Sequence, residues 1–527
     1  MSISKTARLL ALTLVLACES GGAVGDAAPD AAPDASAEGD FRVRIEAGEL
    51  EGFETPEGAL AFLGVPYAAS PVGDLRFRAP EPVAAWSDVR VVDTFAPPCF
   101  QPEGATEVRG SEDCLYLNVW APKARERLPV LVFIHGGGNV TGSASEETSP
   151  GFAIYDGARI AARDSAVVVT MQYRLNAFGY LADPSLDDEQ PSGNYGPRDQ
   201  VAALEWVARN IVSFGGDPNR VLLFGESGGA SDVCALLATP SAAGLFHAAA
   251  IMSGGCGGME RTNMLQMGED AAEALGCEEG DRAACLRTAD AAALLAAVRR
   301  PSAVNGAASP WAAPTVDGAF LPERPIDAIQ AGRHHRVPLM FGTTADETAS
   351  PIFGVRFMLT DAEYEMRVRE LFPRIAEAVL VHYPRSDFRT PRDALVAVTT
   401  DSQFTCTTRE FARLASAWGP VFHYVYDHAY EGLADGALQP SIFGAAHGFE
   451  LPILFQTIET YVDYESTGAE LALGREMSGL WRRFAAEGVP ADDWPTYDSD
   501  QSYILSTASS VARDFRGDEC RFWLGRE

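Results

Sequence analysis

The chain has 527 residues, 47% of them hydrophobic, and a formal net charge of −32 at neutral pH. This composition can fill a large core, and the length allows one large α/β domain or several smaller ones. The acidity argues against nucleic acid and anionic lipid head groups as partners of the folded body. We interpret it as favouring solubility or a salty habitat over a cationic substrate.

The first 18 residues have the pattern of an export signal. Lys5 and Arg8 form a basic start, and the apolar stretch over residues 9–16 is too short to span a bilayer. The segment ends in Val-Leu-Ala-Cys, which resembles a bacterial lipobox, so we expect Cys18 to be lipidated and to become the mature N-terminus. The alternative is an ordinary cleaved signal with an incidental cysteine.

Residues 19–40 are rich in Gly, Ala, Pro and acid, with six acidic residues and no basic residue. Such a segment cannot bury enough apolar surface to fold. We expect a flexible spacer between a lipid anchor and a single folded domain over residues 41–527. Cys18 is followed by Glu19 and not by the Asp that marks inner-membrane retention in many Gram-negative bacteria. We therefore expect an exported protein anchored at the cell envelope, at the outer membrane in a Gram-negative host, and otherwise periplasmic or secreted.

Beyond the spacer, the hydrophobic pattern predicts an α/β fold. Short apolar runs alternate with Gly and Pro over residues 41–98, which indicates small strands and turns. The later strand candidates are continuous apolar runs, which are typical of strands covered on both faces. These candidates are residues 129–134, 166–171, 221–224, 247–252, 337–341 and 421–426. Helical segments are predicted at residues 198–212, 271–275 and 289–298, and this alternation favours a mostly parallel sheet.

The strand candidate at residues 221–224 leads into Gly225-Glu226-Ser227-Gly228-Gly229, a G-x-S-x-G turn. In such a turn from strand to helix, the glycines permit a tight bend that lifts the serine hydroxyl above the sheet edge. The pattern alone is weakly specific in a chain with 49 glycines, so other motifs must support it. We interpret Ser227 as the candidate nucleophile.

A nucleophilic serine needs a base to take its proton and a carboxylate to orient that base. This type of fold supplies them in the order serine, acid, histidine, so the acid should lie downstream of Ser227. Asp346 and Glu347 both follow the strand candidate at residues 337–341. The residues themselves leave the choice between these two carboxylates open.

Among the eight histidines, His447 is the candidate base because it lies in a loop after a strand, where catalytic residues are common. His334 and His335 lie in a polar turn, where we expect them to be solvated. His423 and His428 lie in or at the end of a strand, which favours structural roles.

The oxyanion formed when a serine attacks a carbonyl group must be stabilised by preorganised donors. Gly136-Gly137-Gly138 follows His135 at the end of the strand candidate at residues 129–134, and its N–H groups are free of side chains. Gly228 offers the N–H directly after the nucleophile. A phosphate-binding loop is the rival interpretation, and it is disfavoured because no Gly-Lys-Ser/Thr follows.

The chain has nine cysteines, and eight remain when Cys18 is set aside. An even number in an exported chain favours disulfides. Spacing suggests that Cys277 pairs with Cys285 and Cys99 with Cys114, whereas the full connectivity does not follow from the residues.

Two longer motifs make the chain resemble the type-B carboxylesterases, the family that includes carboxylesterases, cholinesterases and bacterial para-nitrobenzyl esterases. Residues 214–229, FGGDPNRVLLFGESGG, are similar to the family's serine signature. Residues 112–122, EDCLYLNVWAP, are similar to its second signature. The resemblance extends from about residue 46 to the C-terminus and implies an α/β-hydrolase fold that splits carboxylic esters without a metal or cofactor.

The resemblance also implies site residues. They are Ser227 as nucleophile, Glu347 as acid, His447 as base, and the N–H groups of Gly137, Gly138 and Gly228 as the oxyanion hole. Glu347 is favoured over Asp346 because the family's acid is the Glu of an Asp-Glu pair, usually followed by a Gly that Thr348 replaces here. The family's disulfides imply the pairs Cys99–Cys114, Cys277–Cys285 and Cys406–Cys520, and we expect the remaining Cys234 and Cys256 to pair.

Departures from the family limit the substrate. Cholinesterases hold the choline ammonium on a Trp inside the first disulfide loop, and no Trp lies between Cys99 and Cys114. Trp311-Ala312-Ala313 occupies the place of the acyl-pocket Phe residues of cholinesterases, which suggests a roomier pocket. We therefore expect a small-molecule ester other than a choline ester. The alternatives are a lipase for long-chain esters and a non-catalytic binding or adhesion module.

Overall fold

The computed structural model describes residues 41–104, 107–124, 126–149, 152–298, 312–434, 440–461 and 464–525. The predicted signal with Cys18 and the predicted spacer over residues 19–40 lie outside the described residues. Within them, a sheet of eleven strands runs through the molecule. In chain order its strands are β1 (Phe53–Glu54), β2 (Leu60–Pro66), β3 (Tyr116–Ala121), β4 (Leu128–Ile134), β5 (Val167–Met171), β6 (Gly216–Glu226), β7 (Ala248–Met252), β8 (Leu339–Thr344), β9 (Val421–Tyr426), β10 (Gln501–Leu505) and β11 (Ser510–Arg513).

The central part of this sheet is parallel. The strands lie in the order β11-β10-β9-β8-β7-β6-β4-β5-β3-β2-β1. Strands β4 to β10 run parallel to one another, whereas β1, β2, β3 and β11 are antiparallel to their neighbours. The prediction of a mostly parallel α/β-hydrolase sheet is therefore confirmed.

Helices connect the strands and cover both faces of the sheet. In the described residues the α-helices are α1 (Ala158–Asp164), α2 (Asn176–Tyr180), α3 (Tyr195–Asn210), α4 (Gly228–Leu237), α5 (Arg261–Leu275), α6 (Arg282–Thr288), α7 (Ala291–Val298), α8 (Pro325–Gln330), α9 (Asp361–Leu371), α10 (Ala376–His382), α11 (Pro391–Thr400), α12 (Cys406–Ala415), α13 (Glu450–Leu454), α14 (Gly468–Glu487) and α15 (Gly517–Trp523). A π-helical turn, Asp401–Thr405, joins α11 to α12. Within those residues, no helix combines the length and apolar character needed to cross a membrane.

The core consists of two apolar layers, one on each face of the sheet. Helices α3, α4 and α12 pack on one face, and α1, α13 and α14 pack on the other. In β4, Val130, Val132 and Ile134 enter the first layer, and Leu131 and Phe133 enter the second. Because successive side chains point to opposite faces, a strand covered on both faces must be apolar throughout, which explains the continuous run in the sequence.

Several elements extend beyond their predicted bounds. Strand β6 continues past residues 221–224 because Gly225 and Glu226 still pair with β7. Strand β8 reaches Thr344, which pairs with Tyr426 of β9, so the residues expected to form the turn before the acid belong to the sheet. Helix α3 starts before the predicted residue 198 and ends at Asn210, where a 3-10 turn follows. In each case, main-chain pairing or capping decided the bound, and the apolar pattern did not reveal it.

Four disulfides lie in the described part of the chain. They are Cys99–Cys114, Cys234–Cys256, Cys277–Cys285 and Cys406–Cys520. The last one joins α12 to α15 across a sequence separation of 114 residues. It therefore closes the longest loop and ties the C-terminal helix to the body of the fold.

Candidate active site

The turn after β6 holds Ser227 in a strained conformation. Ser227 has a φ of 56°, and its N–H donates to the Met252 carbonyl at 2.9 Å. A Cβ atom on Gly229 would lie 2.2 Å from the Ile134 carbonyl oxygen, so only glycine fits there without a shift. A left-handed conformation in a non-glycine residue is costly and is typical of functional sites. The turn places Ser227 between the end of a central strand and the start of α4.

Glu347 and His447 are in direct contact. Glu347 Oε2 lies 2.5 Å from His447 Nδ1, and both side chains are buried. Glu347 Oε1 accepts a hydrogen bond from the Thr344 N–H at 2.8 Å, and its backbone carbonyl accepts one from the His447 N–H at 3.2 Å. These contacts fix the carboxylate and the ring, so Nδ1 donates to Glu347 and Nε2 is left as the proton-accepting atom.

Asp346 has a different environment. Its carboxyl accepts a hydrogen bond from the Ala445 N–H at 3.1 Å and so supports the loop that carries the histidine. Burial raises the pKa of Asp346. The geometry therefore brings Glu347, and not Asp346, to His447.

Thr348, the residue in place of the family's usual Gly, anchors the acid loop to α11. Its hydroxyl lies 2.6 Å from the Thr399 hydroxyl, and its N–H donates to the Thr400 hydroxyl at 3.3 Å. All three side chains are buried. This residue therefore fits the turn and adds a buried polar contact next to Glu347.

Two further carboxyls surround the histidine, and the sequence analysis did not assign them a role. Glu226 Oε1 lies 3.0 Å from His447 Nε2, but these two atoms are not aligned for a hydrogen bond. Glu450 is fully buried, and its negative charge also raises the pKa of His447. Burial raises the pKa of both Glu226 and Glu450. Burial alone lowers the pKa of His447, but the negative charges of Glu226 and Glu347 outweigh it and hold that pKa above its ordinary value. The signal available in the sequence was position, because Glu226 precedes Ser227 and Glu450 follows His447 by three residues.

The glycine turn after β4 packs against the start of α4. Gly137 and Gly138 have φ values of 103° and 62°, which side chains rarely adopt. A Cβ atom on Gly228 would lie 2.9 Å from the Gly138 nitrogen, so the two segments are in close contact. As the first residue of α4, Gly228 has an N–H without an acceptor inside the helix. The three proposed oxyanion-hole residues are thus brought together beside Ser227.

Two phenylalanines form an aromatic wall against the histidine. The ring centroids of Phe353 and Phe404 lie 5.2 Å and 5.4 Å from that of His447, and 5.6 Å from each other. Phe404 belongs to the π-helical turn, a feature that often occurs at functional sites. This wall restricts the ring and gives the site an apolar side.

The other histidines have structural environments. His423 Nδ1 lies 2.9 Å from the Ser502 hydroxyl, and His428 Nε2 lies 3.3 Å from Glu470 Oε1. The expectation of a solvated side chain is wrong for His334, which is 5% exposed because the turn that carries it folds against α8. His335 is partly buried, and its Nε2 lies 2.7 Å from the Thr239 carbonyl oxygen. Within the ranges described, no group of three His, Cys, Asp or Glu side chains could hold a metal ion.

Comparisons with known proteins identify the family of the chain. The model of the carboxylesterase family matches residues 39–523. The chain is 34% identical over 496 residues to a para-nitrobenzyl esterase of Bacillus subtilis, covering 90% of this chain and 96% of the relative. It is 34% identical over 490 residues to a fumonisin B1 esterase of Sphingopyxis macrogoltabida, covering 88% and 86%. It is 32% identical over 508 residues to a human cocaine esterase, covering 88% and 87%.

A solved structure of a PNB esterase is similar throughout. Its TM-score is 0.77 at 32% sequence identity, and the match covers 92% of this chain and 99% of that chain. Similarity in sequence and in fold therefore extends over nearly the whole chain. The chain belongs to the carboxylesterase family and is a carboxylic ester hydrolase.

Proposed function

We propose that the chain hydrolyses carboxylic esters through an acyl-enzyme on Ser227, with His447 as general base and Glu347 as the carboxylate that orients it. The observation that carries this assignment is the contact of 2.5 Å between Glu347 Oε2 and His447 Nδ1 beside the strained serine turn. The three groups, a serine, a histidine and a carboxylate, match the roles that acyl transfer requires.

The proposed reaction has two halves. His447 Nε2 takes the proton of the Ser227 hydroxyl as its oxygen attacks the ester carbonyl, and the resulting oxyanion is held by the N–H groups of Gly137, Gly138 and Gly228. Breakdown of this intermediate expels the alcohol, which receives the proton from His447. Water then attacks the acyl-enzyme with His447 again as base, and the acid is released.

The substrate class follows from the apolar side of the site and from the family departures. Phe353 and Phe404 face His447, which favours an ester with an apolar portion. The relatives carry the names para-nitrobenzyl, fumonisin B1 and cocaine esterase, whose common element is the ester bond. The absence of a Trp between Cys99 and Cys114 disfavours choline esters. Trp311, the other departure, lies outside the described residues.

The test is the initial rate of hydrolysis of para-nitrophenyl esters from acetate to palmitate, with and without an organophosphonate that labels reactive serines. We expect a short-chain maximum, with the label on Ser227 by mass mapping and a Ser227→Ala variant that folds but does not turn over. A maximum at long chains would favour a lipase instead. Absence of both turnover and label in the wild-type protein would refute the proposal and favour a binding module.

We also propose that the enzyme is exported and anchored to the cell envelope by lipid on Cys18, at the outer membrane in a Gram-negative host. The support is the Val-Leu-Ala-Cys motif, the acidic spacer after it and Glu19 at the next position. Mass spectrometry of the mature N-terminus tests this proposal: a diacylglyceryl group on Cys18, lost in Cys18→Ser, is expected. An unmodified N-terminus elsewhere would contradict it.

A further inference from the structure

Asp232 is a buried carboxyl behind the glycine turn that the reaction scheme does not use. It lies on α4 and is fully buried. Asn139 Nδ2 donates to its Oδ1 at 2.9 Å, Gln200 Nε2 donates to its Oδ2 at 2.6 Å, and the Tyr180 hydroxyl donates to Oδ2 at 3.2 Å. In the described part of the chain, no Lys or Arg forms an ion pair with it. Three neutral donors from three different segments therefore converge on one carboxyl.

This carboxyl is costly for the fold. Burial raises the pKa of Asp232 to about 7, although its three hydrogen bonds lower it. The native state therefore holds a proton that the unfolded chain releases at lower pH, and stability falls as pH rises toward 7. A buried carboxyl without a cation does not serve stability, and groups of this kind cluster at functional sites.

Asn139 connects Asp232 to the proposed oxyanion hole. It directly follows Gly138, is 2% exposed, and has a φ of 60°, in the left-handed region that Asn adopts more readily than most residues with a side chain. The Tyr173 hydroxyl lies 3.1 Å from its Oδ1 and 2.8 Å from the His135 carbonyl, so the single hydroxyl proton is shared between these two acceptors. The Asn139 carbonyl accepts a hydrogen bond from the Asn176 N–H at 2.7 Å. The side chain is thus held at both polar atoms, with Asp232 at one of them.

We propose that Asp232 is a positioning residue of the oxyanion hole: its carboxyl holds Asn139 and thereby aims the N–H groups of Gly137 and Gly138 at the developing oxyanion. The inference rests on the proposed role of these glycines. Asp232 and Gly228 lie on the same helix, so the contact also fixes the glycine turn relative to the third donor. Donors must be aligned before the reaction to stabilise the transition state more than the substrate.

The chain offers a conservative variant that keeps the contact. Gln200 Oε1 is buried and has no hydrogen-bond partner among the described residues. In Asp232→Asn, the new Oδ1 can accept from Asn139, and the new Nδ2 can donate to Gln200 once its amide rotates. Asp232→Ala removes the acceptor altogether and leaves the Asn139 amide without it. The two variants therefore differ in the one contact that the inference requires.

The experiment measures kcat and KM for para-nitrophenyl butyrate, and inhibition by a trifluoromethyl ketone and by the matching methyl ketone. The trifluoromethyl ketone adds the Ser227 oxygen to its carbonyl and places an oxyanion in the hole, whereas the methyl ketone binds mainly as the ground state. For Asp232→Ala we expect kcat to fall about tenfold to a hundredfold with KM changed little, which is no more than the smallest loss seen when an oxyanion donor itself is removed, about a hundredfold. Affinity for the trifluoromethyl ketone should fall with kcat, and affinity for the methyl ketone should stay. Asp232→Asn should retain most of kcat and most of the affinity for the trifluoromethyl ketone.

Asn139→Gly tests the other end of the contact, because glycine accepts the left-handed φ and leaves Asp232 in place. We expect the same pattern as for Asp232→Ala, and the double variant should lose no more than the worse single variant, since both act through one contact. If Asp232→Ala does not fold, Asn139→Gly alone still tests the inference. Asp156→Ala is the control, because Asp156 is a partly buried carboxyl that accepts a hydrogen bond from the Ala158 N–H at the start of α1, outside the proposed oxyanion hole. This variant should lower the melting temperature and leave the ratio of the two ketone affinities unchanged.

The inference would be overturned if Asp232→Ala lowered the affinity for both ketones equally, or if Asp232→Asn lost as much activity as Asp232→Ala. It would also be overturned if the losses of the two single variants added up in the double variant. Turnover by the wild-type protein separates this failure from a failure of the proposed function. A wild-type protein without esterase activity removes the proposed function, whereas an active wild type with unaffected variants removes only the role of Asp232.

Discussion

The charge of Glu226 should set the pH range in which His447, the proposed general base, can accept a proton. Glu226 Oε1 lies 3.0 Å from His447 Nε2, and its negative charge favours the protonated ring. Glu226→Gln keeps the shape of the side chain and removes that charge. The pKa of His447 should therefore fall, and the neutral ring, which is the catalytic form, should be populated at lower pH. The acidic limb of the profile of kcat/KM against pH should move to lower pH.

The magnitude follows from Coulomb's law. Two unit charges at 3.0 Å interact by about 5 kcal/mol at an effective dielectric constant of about 20, which corresponds to about 4 pKa units. The actual shift is smaller because both charges are spread over two atoms and because burial raises the pKa of Glu226, so that it is only partly ionised near neutral pH. We therefore expect a shift of at least about one unit.

The assay is the hydrolysis of para-nitrophenyl butyrate from about pH 5 to about pH 9 at constant ionic strength, corrected for spontaneous hydrolysis. Glu450→Gln should move the limb in the same direction by less, since Glu450 raises the pKa of His447 less than Glu226 does. Glu273→Gln, on the exposed side of α5, is the control and should leave the limb in place. An acidic limb in Glu226→Gln that stays or moves to higher pH would refute the reasoning.

Three further variants test interactions that stabilise the fold, one of them next to the site. Arg174 Nη2 lies 2.7 Å from Asp199 Oδ1, and both side chains are buried, so Arg174→Ala leaves the Asp199 carboxylate buried without a partner. Urea denaturation should show a free energy of unfolding lower by about 3–5 kcal/mol, and a decrease below about 1 kcal/mol would contradict the stabilising role of the pair. Removing the disulfide with Cys406→Ser and Cys520→Ser opens a loop of 114 residues, for which chain entropy predicts a loss of about 5 kcal/mol; an unchanged melting temperature would count against this account. Thr348→Val replaces the buried hydroxyl beside Glu347 with a methyl group and leaves the Thr399 hydroxyl without this partner, so the free energy of unfolding should fall by about 1–3 kcal/mol. An unchanged free energy of unfolding would show that this hydroxyl contact does not stabilise the fold.

Local sequence was sufficient wherever the physical cause is local. The apolar run in β4 has no alternation because both faces of the strand are covered, so the pattern by itself indicates a buried parallel strand. The turn around Ser227 requires glycine where a Cβ atom would clash, and the five consecutive residues 225–229 meet this requirement, so the pattern is visible in the sequence. The choice of Glu347 over Asp346 needed the family resemblance, because both carboxylates follow the same strand.

Only the tertiary structure decided which distant side chains act on one another. Glu226 and Glu450 flank His447, and Asp232 reaches Asn139 across 93 positions of the chain. Side-chain contacts of this kind depend on how β6, the glycine turn and the histidine loop meet at one edge of the sheet, and no local pattern encodes that meeting. The sequence by itself thus determined the central strands β4 to β9, the nucleophile turn and the family, whereas β3, β10 and β11 were not among its strand candidates. The fold decided the charges around the base and the support of the glycine turn, because electrostatic and hydrogen-bond energies depend on distances in space and not on spacing along the chain.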